Sequence, residues 1–267
     1  MKLLFLGDIV GNTGSNAIKN YLGGIVKNNS VDFVIANGEN SHETGVGISE
    51  NLTKEFLSCG IDVITTGNHV WDQKEIFDYI NCEKRLLRPI NLTGNLPGKG
   101  FGIYKSKKGF KIGVLNLMGN VFMKKSENVF NFSKKFLLDF KLKRNFDFLV
   151  VDFHGETTSE KMAIGHFFDG KATLVIGTHT HVPTNDARVL ANGTAYQTDA
   201  GMCGDYDSVI GMNKQNSINK FLKISSDNHY PSENDASICG VIVDADIDTG
   251  LANNIKSFIF GGILKDN

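Results

Sequence analysis

Two histidines separated by one residue form the strongest local signal for chemistry in this sequence. His179 and His181 follow residues 172–176, an apolar run typical of a buried strand. Side chains two residues apart in an extended segment project to the same side, so both imidazoles are expected to face one site. For an isolated pair of this kind, two solvated histidines at a strand end are at least as good an interpretation as a metal site.

Five other polar residues follow apolar runs or glycine-rich turns, and all are of types that bind metal ions. They are Asp8, Glu39, Asn40, Asn68 and His154. Each has an ordinary alternative, because a carboxylate can cap a helix and a histidine after a buried strand can be a hydrogen-bonded core residue. With His179 and His181 they make a set of carboxylates, carboxamides and imidazoles. Such a set suits manganese, iron, zinc or cobalt better than a thiolate-bound structural zinc.

The size of this set indicates two metal ions rather than one. Seven ligands are more than one catalytic ion with an open coordination position can use. They fit two ions that share one carboxylate as a bridge.

Alternating strands and helices in the first third of the chain are expected to bring these residues together. Buried strands are predicted at residues 2–6, 33–36 and 61–65. Helices are predicted at residues 15–27, 49–58 and 73–79, with Ser49 and Asp72 as N-caps of the last two. This order implies a parallel sheet, in which ligands bind beyond the carboxyl ends of the strands. We therefore expect the polar residues after the three strands to converge there: Asp8, Glu39, Asn40, Asn68 and His69.

The rest of the chain contains further strands and helices but no internal repeat and no obvious linker. A hairpin is predicted at 100–105 and 111–117, helices at 128–143 and 159–168, and strands at 146–153, 172–176, 194–198, 238–243 and 255–259. The simplest organisation is a single domain over residues 1–267 that contains two packed sheets.

Composition excludes some classes of protein and favours a cytoplasmic location. The 28 Lys and Arg nearly balance 29 Asp and Glu, so the chain lacks the strongly basic character of a non-specific nucleic-acid binder. No apolar run is long enough to span a membrane, and the N-terminal run is too short for a signal peptide. Four scattered cysteines without a CxxC pair are typical of reduced thiols.

The order of the polar blocks resembles that of the calcineurin-like metallophosphoesterase superfamily. That superfamily has an aspartate near the N-terminus, a bridging acid after the second strand, Gly-Asn-His after the third, a lone histidine, and then Gly-x-His-x-His. All five blocks occur here in that order. More narrowly, the chain resembles the YmdB-like branch. The matching stretches are residues 7–11, 37–40, 67–72, 152–154, 158–161, 177–183, 198–202 and 207–211.

Two positions depart from the wider superfamily but agree with the branch. Val10 stands where the first block usually has a histidine, and Glu39 stands where the bridging acid is usually an aspartate. In the YmdB-like branch Asn40 supplies a ligand instead.

The resemblance implies a fold and a ligand assignment. The fold would be α/β, a four-layer α/β/β/α sandwich of two mixed sheets, as in calcineurin-like metallophosphoesterases. The chain would hold two metal ions, iron or manganese, and other divalent ions are also compatible. One ion would be held by Asp8, Glu39, Asn40 and His181, and the other by Glu39, Asn68, His154 and His179. His69 would stay off the metals and face the substrate.

The resemblance also implies an activity, that of a phosphodiesterase acting on small cyclic nucleotides, in particular 2',3'-cyclic nucleotides. A hydroxide bridging the two ions would attack phosphorus in line, and His69 would act as the general acid, oriented by Asp72. Phosphate would be a product or ligand. The resemblance further suggests a homo-oligomer, with no stable nucleic-acid binding and no membrane partner.

Two other functions remain compatible with the same residues. A phosphomonoesterase, such as a nucleotidase, needs the same in-line attack beside two ions. A metal-dependent nucleotide-sensing regulatory protein would bind its ligand as a signal without hydrolysing it. The intact ligand set and His69 favour an enzyme over the sensor.

Overall fold

The computed structural model describes residues 1–224 and 229–264, which form thirteen strands and six helices. The strands are β1 (Lys2–Leu6), β2 (Asp8–Ile9), β3 (Phe33–Asn37), β4 (Val63–Thr65), β5 (Phe101–Lys105), β6 (Lys111–Met118), β7 (Phe148–His154), β8 (Leu174–Thr178), β9 (Arg188–Val189), β10 (Ala195–Gln197), β11 (Met202–Asp205), β12 (Ala236–Ala245) and β13 (Ala252–Phe260). The helices are α1 (Gly11–Asn29), α2 (Glu50–Cys59), α3 (Ile76–Tyr79), α4 (Val129–Asp139), α5 (Thr158–Phe168) and α6 (Lys214–Phe221).

The strands form two mixed sheets. The first has seven strands in the order β2-β11-β12-β1-β3-β4, with β13 paired to β12. Within it β1, β3 and β4 are parallel, as the β-α-β-α-β pattern predicts, and β12 runs antiparallel to β1. The second has six strands in the order β5-β6-β7-β8-β10-β9. Here β6, β7 and β8 are parallel, and β5 and β6 form the predicted hairpin.

Alternate side chains of each sheet enter different hydrophobic clusters. Leu3 and Phe5 of β1 share a cluster with Phe148 and Leu174 of the second sheet, so this cluster joins the two sheets. The next residue along β1, Leu4, instead packs in a cluster with α1 and α2. A third cluster joins the other face of the second sheet to α4 and α5. This division follows from the two-residue period of a strand, which sends successive side chains to opposite faces.

Most predicted elements are confirmed, but their ends shift. Helix α2 begins as expected, because the Ser49 hydroxyl accepts a hydrogen bond from the Leu52 amide at 3.1 Å. The predicted start of helix α3 is wrong. The helix begins at Ile76, with Glu75 in the N-cap position, and Asp72 is not its N-cap. The Asp72 carboxylate instead accepts a hydrogen bond from the His69 ring.

Four elements are not anticipated by the sequence patterns: β2, β9, β11 and α6. Strands β2 and β9 have two residues each, which is too short to show any periodicity. Strand β2 nevertheless matters, because its parallel pairing with β11 fixes Asp8 opposite Met202. Asp8 is therefore a strand residue, where the sequence pattern indicates a turn.

No helix among the described residues has the length and apolar character that crossing a membrane requires.

A matched pair of leucine substitutions tests the cluster between the sheets. Leu174 is fully buried there, whereas Leu138 on α4 is 71% exposed. We expect Leu174→Ala to lower the free energy of unfolding by about 2–5 kcal/mol, because it leaves a cavity between the sheets. Leu138→Ala should change it by no more than about 0.5 kcal/mol. Urea denaturation measures both, and equal losses would contradict this placement of the core.

Candidate functional site

The proposed ligands come from the carboxyl ends of strands in both sheets. Asp8 begins β2, and Glu39 and Asn40 follow β3. Asn68 follows β4, and His154 is the last residue of β7. His179 and His181 follow β8 directly. The site therefore lies where the strand ends of the two sheets meet, which the sequence pattern predicts for the first sheet alone.

Three side chains converge on one nitrogen of His154. Its Nε2 lies 2.9 Å from Glu39 Oε1, 3.0 Å from Asn68 Oδ1 and 3.1 Å from His179 Nδ1. The ligand atoms of Glu39, His154 and His179 all lie within 4.8 Å of one another, close enough to hold a single metal ion. Together with Asn68, these residues are the set that the resemblance assigns to one metal.

The other proposed ligands form a second group, which meets Glu39 through Asn40. Asn40 Nδ2 is 3.4 Å from Glu39 Oε1 and 3.1 Å from His181 Nε2. His181 Nε2 is in turn 3.9 Å from Asp8 Oδ1. Glu39 Oε1 is thus in contact with a member of each group. A metal in this second group would need the Asn40 amide turned so that its oxygen, the only acceptor of that side chain, faces inward.

Gly67 is required by the closeness of these groups. A Cβ at this position would collide with Glu39 Oε2 and with the imidazole of His154. The glycine before Asn68 therefore lets the strand end approach the ligands, and any larger residue would push Glu39 and His154 apart.

Two observations show that this donor set fits metal ions. Asp8 Oδ1 is buried and has no hydrogen-bond partner in the described part of the chain, an arrangement that is costly for a carboxylate unless a cation lies nearby. The remaining donors are imidazole nitrogens and carboxylate or amide oxygens, the ligands preferred by divalent first-row metals in hydrolytic sites.

The neighbours of the histidines select which ring nitrogen faces the site. His181 Nδ1 lies 2.8 Å from the Ile210 carbonyl oxygen, so it donates there and Nε2 is the nitrogen that faces the site. His154 Nδ1 lies 2.9 Å from Thr178 Oγ1, which itself donates to Asp152 Oδ1 at 2.8 Å. Outer hydrogen bonds of this kind orient the imidazoles of metal sites and fix their tautomers.

The protonation states follow from burial and from the pairing of charges. Burial tends to raise the pKa of Glu39, but the charge and hydrogen bond of His154 outweigh it and lower the pKa to about 2. Burial disfavours protonated His154, yet Glu39 raises its pKa to about 9. For His179, burial and then the charge of His154 lower the pKa to about 3. At neutral pH Glu39 is thus charged and His179 neutral, both forms that bind metals, while His154 carries a proton that a metal ion would replace.

Burial raises the pKa of Asp8, although the charges of His181 and His154 oppose the shift. The position of this carboxylate, at full burial and beside a second acid, favours a bound cation.

His69 lies at the edge of the site and points away from the ligand cluster. Its backbone amide donates to Glu39 Oε2 at 3.1 Å, whereas its ring Nδ1 lies 2.7 Å from Asp72 Oδ2. The side chains of Asn68 and His69 therefore diverge, as adjacent residues at a strand end are expected to do. His69 remains one-third exposed, which leaves its Nε2 available to a substrate.

Two charged residues that the sequence patterns do not indicate also lie near the site. Glu156 Oε2 is 2.9 Å from His179 Nε2, on the ring edge opposite His154. Lys124 donates from Nζ to the Asn68 carbonyl oxygen and lies 4.0 Å from Asp72 Oδ1. The position of Glu156, two residues after His154, is a sequence signal for its place near the site. Nothing in the sequence around Lys124 indicates its location.

The backbone of the His-x-His segment differs from the prediction. His179 and His181 have φ values of 101° and 65°, so the segment is not extended. Strand β8 ends at Thr178, and the chain then turns, so that His179 faces His154 and His181 faces Asn40. The two imidazoles consequently reach different partners instead of projecting side by side.

Comparison with known proteins gives consistent matches over nearly the whole chain. A 2',3'-cyclic-nucleotide 2'-phosphodiesterase of Bacillus subtilis is 38% identical over 259 residues, 97% of each chain. A phosphatase of Mycoplasma pneumoniae of known structure is 38% identical, with a TM-score of 0.89 over 97% of this chain and 93% of that one. A hypothetical protein of Thermus thermophilus has the same TM-score at 34% identity, over 97% and 99% of the two chains.

The family model of YmdB-like proteins matches residues 4–258, a span that includes every residue of the site described above. The chain belongs to the YmdB-like protein family.

Proposed function

We propose that this chain hydrolyses small phosphodiesters, 2',3'-cyclic nucleotides among them, at a centre of two metal ions. It is a phosphoric ester hydrolase, as its relatives of similar length are named. The observation that carries the proposal is the convergence of Glu39, Asn68 and His179 on His154 Nε2. Asp8 Oδ1 lies 3.9 Å from both His154 Nδ1 and His181 Nε2.

The two groups of ligands divide between the ions as the resemblance implies. Asp8, Glu39, Asn40 and His181 would hold one ion, and Glu39, Asn68, His154 and His179 the other. Iron and manganese are the ions we propose. When bound, two such ions supply positive charge that neutralises phosphoryl oxygens and lowers the pKa of a water molecule. Asp8 and Glu39 return only two negative charges, so the centre stays positive and attracts phosphate esters.

His69 acts on the leaving group. Asp72 accepts from Nδ1 at 2.7 Å, which fixes the orientation of the ring. Nε2 then donates its proton to the leaving oxygen of the substrate, a contribution that is typically worth about 10²–10⁴-fold in rate. Lys124, whose ammonium lies beside Asn68 and Asp72, adds positive charge at the same edge for an anionic substrate.

The remaining features complete the proposal. Side chains shared between the sheets, and between each sheet and its helices, support a single domain with four layers, α/β/β/α. The family resemblance supports a homo-oligomer, and the four free cysteines support a cytoplasmic location.

A comparison of substrates tests the activity. With Mn²⁺ present, we expect 2',3'-cyclic nucleotides and bis-aryl phosphodiesters to be hydrolysed with a higher kcat/KM than aryl phosphomonoesters. The reverse preference would establish a phosphomonoesterase. A protein that holds two ions and hydrolyses neither class would instead be a nucleotide sensor.

Removal of the proposed bridge tests the number of ions. Elemental analysis of the wild type should find about two metal ions per chain. Glu39→Ala should lose most of both, because the shared ligand serves both groups. The control is Glu43→Ala, which removes an exposed glutamate from the nearby loop and should leave the metal content unchanged. Retention of both ions by Glu39→Ala would rule out the bridging role.

Substitution of His69 separates proton transfer from metal binding. His69→Ala should keep both ions and lose about 10²–10⁴-fold in kcat, with a smaller loss for a nitrophenyl ester, whose leaving group needs little protonation. Asn68→Ala should instead lose metal, and with it activity on every substrate. Equal losses of His69→Ala on good and poor leaving groups, or loss of its metal, would show that His69 is not the general acid.

A further inference from the structure

A buried ion pair contacts the segment that carries His179 and His181. Lys161 of α5 is 1% exposed and Asp199 is fully buried. Lys161 Nζ lies 2.5 Å from Asp199 Oδ2. The mechanism above gives neither residue a role.

Asp199 connects this pair to the backbone between the histidines. Its Oδ2 also accepts hydrogen bonds from the Thr180 amide at 3.1 Å and the Thr180 hydroxyl at 2.7 Å. Its Oδ1 accepts from the Gly201 amide at 2.8 Å. The carboxylate therefore holds the residue between His179 and His181 by two bonds.

Both histidines have a backbone conformation that needs such support. Their positive φ values fall in a strained region that residues other than glycine rarely adopt. This conformation persists only where the surroundings fix it. The hydrogen bonds of Thr180 to Asp199 supply that constraint at the residue where the chain reverses.

We propose that Lys161 and Asp199 are positioning residues, which hold Thr180 so that His179 faces His154 and His181 faces Asn40. The inference rests on the proposed function, since it concerns the proposed metal ligands. Lys161 holds the Asp199 carboxylate in place, and Asp199 fixes the turn of the backbone. Both act through Thr180 and the two histidines, without contacting substrate or metal themselves.

The choice of an ion pair at this position supports a role beyond stability. A buried ion pair often contributes no more to folding than a well-packed apolar pair of the same volume, although removal of one partner is strongly destabilising. A carboxylate, unlike an apolar side chain, can accept from Lys161, Gly201 and both donors of Thr180 at once. The pair therefore provides directional bonds to one short segment.

Three variants separate positioning from stability. Lys161→Met removes one charge and leaves Asp199 unpaired. The double variant Lys161→Met with Asp199→Asn removes both charges at nearly constant side-chain volume. The amide that replaces the Asp199 carboxylate has only one acceptor oxygen. Thr180→Val removes the hydroxyl and leaves the ion pair intact, so it should fold even if the others do not. The control is Ile164→Val, a small truncation on the same helix within the third hydrophobic cluster.

Three measurements are made on each protein: urea unfolding, amide hydrogen exchange of residues 178–182 in metal-free protein, and calorimetric titration with Mn²⁺. We expect Lys161→Met to be strongly destabilised and the double variant to recover most of that loss. The double variant should still show faster exchange of the Thr180 amide and about 10–100-fold weaker Mn²⁺ binding. Thr180→Val should bind Mn²⁺ about 10-fold more weakly, and Ile164→Val should bind it normally.

The outcomes distinguish this inference from the proposed function. Recovery of both stability and Mn²⁺ affinity in the double variant, or equal loss of affinity in Ile164→Val, would show that the pair is merely structural. Normal Mn²⁺ binding by Thr180→Val would also overturn the inference. A wild type that binds no Mn²⁺ would overturn the proposed metal centre. Unchanged hydrogen exchange of the Thr180 amide in the double variant would separately refute the role of Asp199.

Discussion

The site depends on keeping two fully buried carboxylates, Asp8 and Glu39, beside the same imidazole, that of His154. Burial disfavours charge, and like charges repel, so such a pair is stable only beside compensating positive charge. His154 provides part of it by its contact with Glu39. Asp8 Oδ1 has no hydrogen-bond partner among the described residues, and a cation there would relieve the remaining cost. The demand for positive charge thus comes from the fold itself, before any substrate is considered.

The packing of two sheets against each other makes this arrangement possible. Parallel strands deliver their carboxyl ends to one edge, and the cluster that contains Phe5 and Phe148 brings the edges of both sheets together. Asp8, Glu39 and Asn68 come from the first sheet, and the three histidines come from the second. Apolar packing between the sheets consequently sets the distance between the carboxylates and the imidazoles.

A further group of residues fixes the direction in which the ligands point. Ile210 and Thr178 bind Nδ1 of His181 and His154, so that Nε2 of each ring faces the site. Asp72 binds Nδ1 of His69 in the same way. Asp199 acts on the backbone in the same way that these groups act on the rings. Metal affinity and proton transfer both depend on such orientation, because a donor atom turned by a few tens of degrees no longer meets its partner.

The sequence by itself determined most of the strands along the chain, the parallel pairing of the first three predicted strands, and the types of residue at their ends. Those inferences hold because hydrophobic periodicity and ligand chemistry are local properties. Tertiary structure alone decided that Asp8 belongs to a two-residue strand, that Asp72 does not cap a helix, and that His179 faces His154 while His181 faces Asn40. It also brought Glu156, Lys124 and the Lys161–Asp199 pair to the site. These features depend on contacts between residues far apart in sequence, and no local pattern records which distant partner a charged side chain will meet.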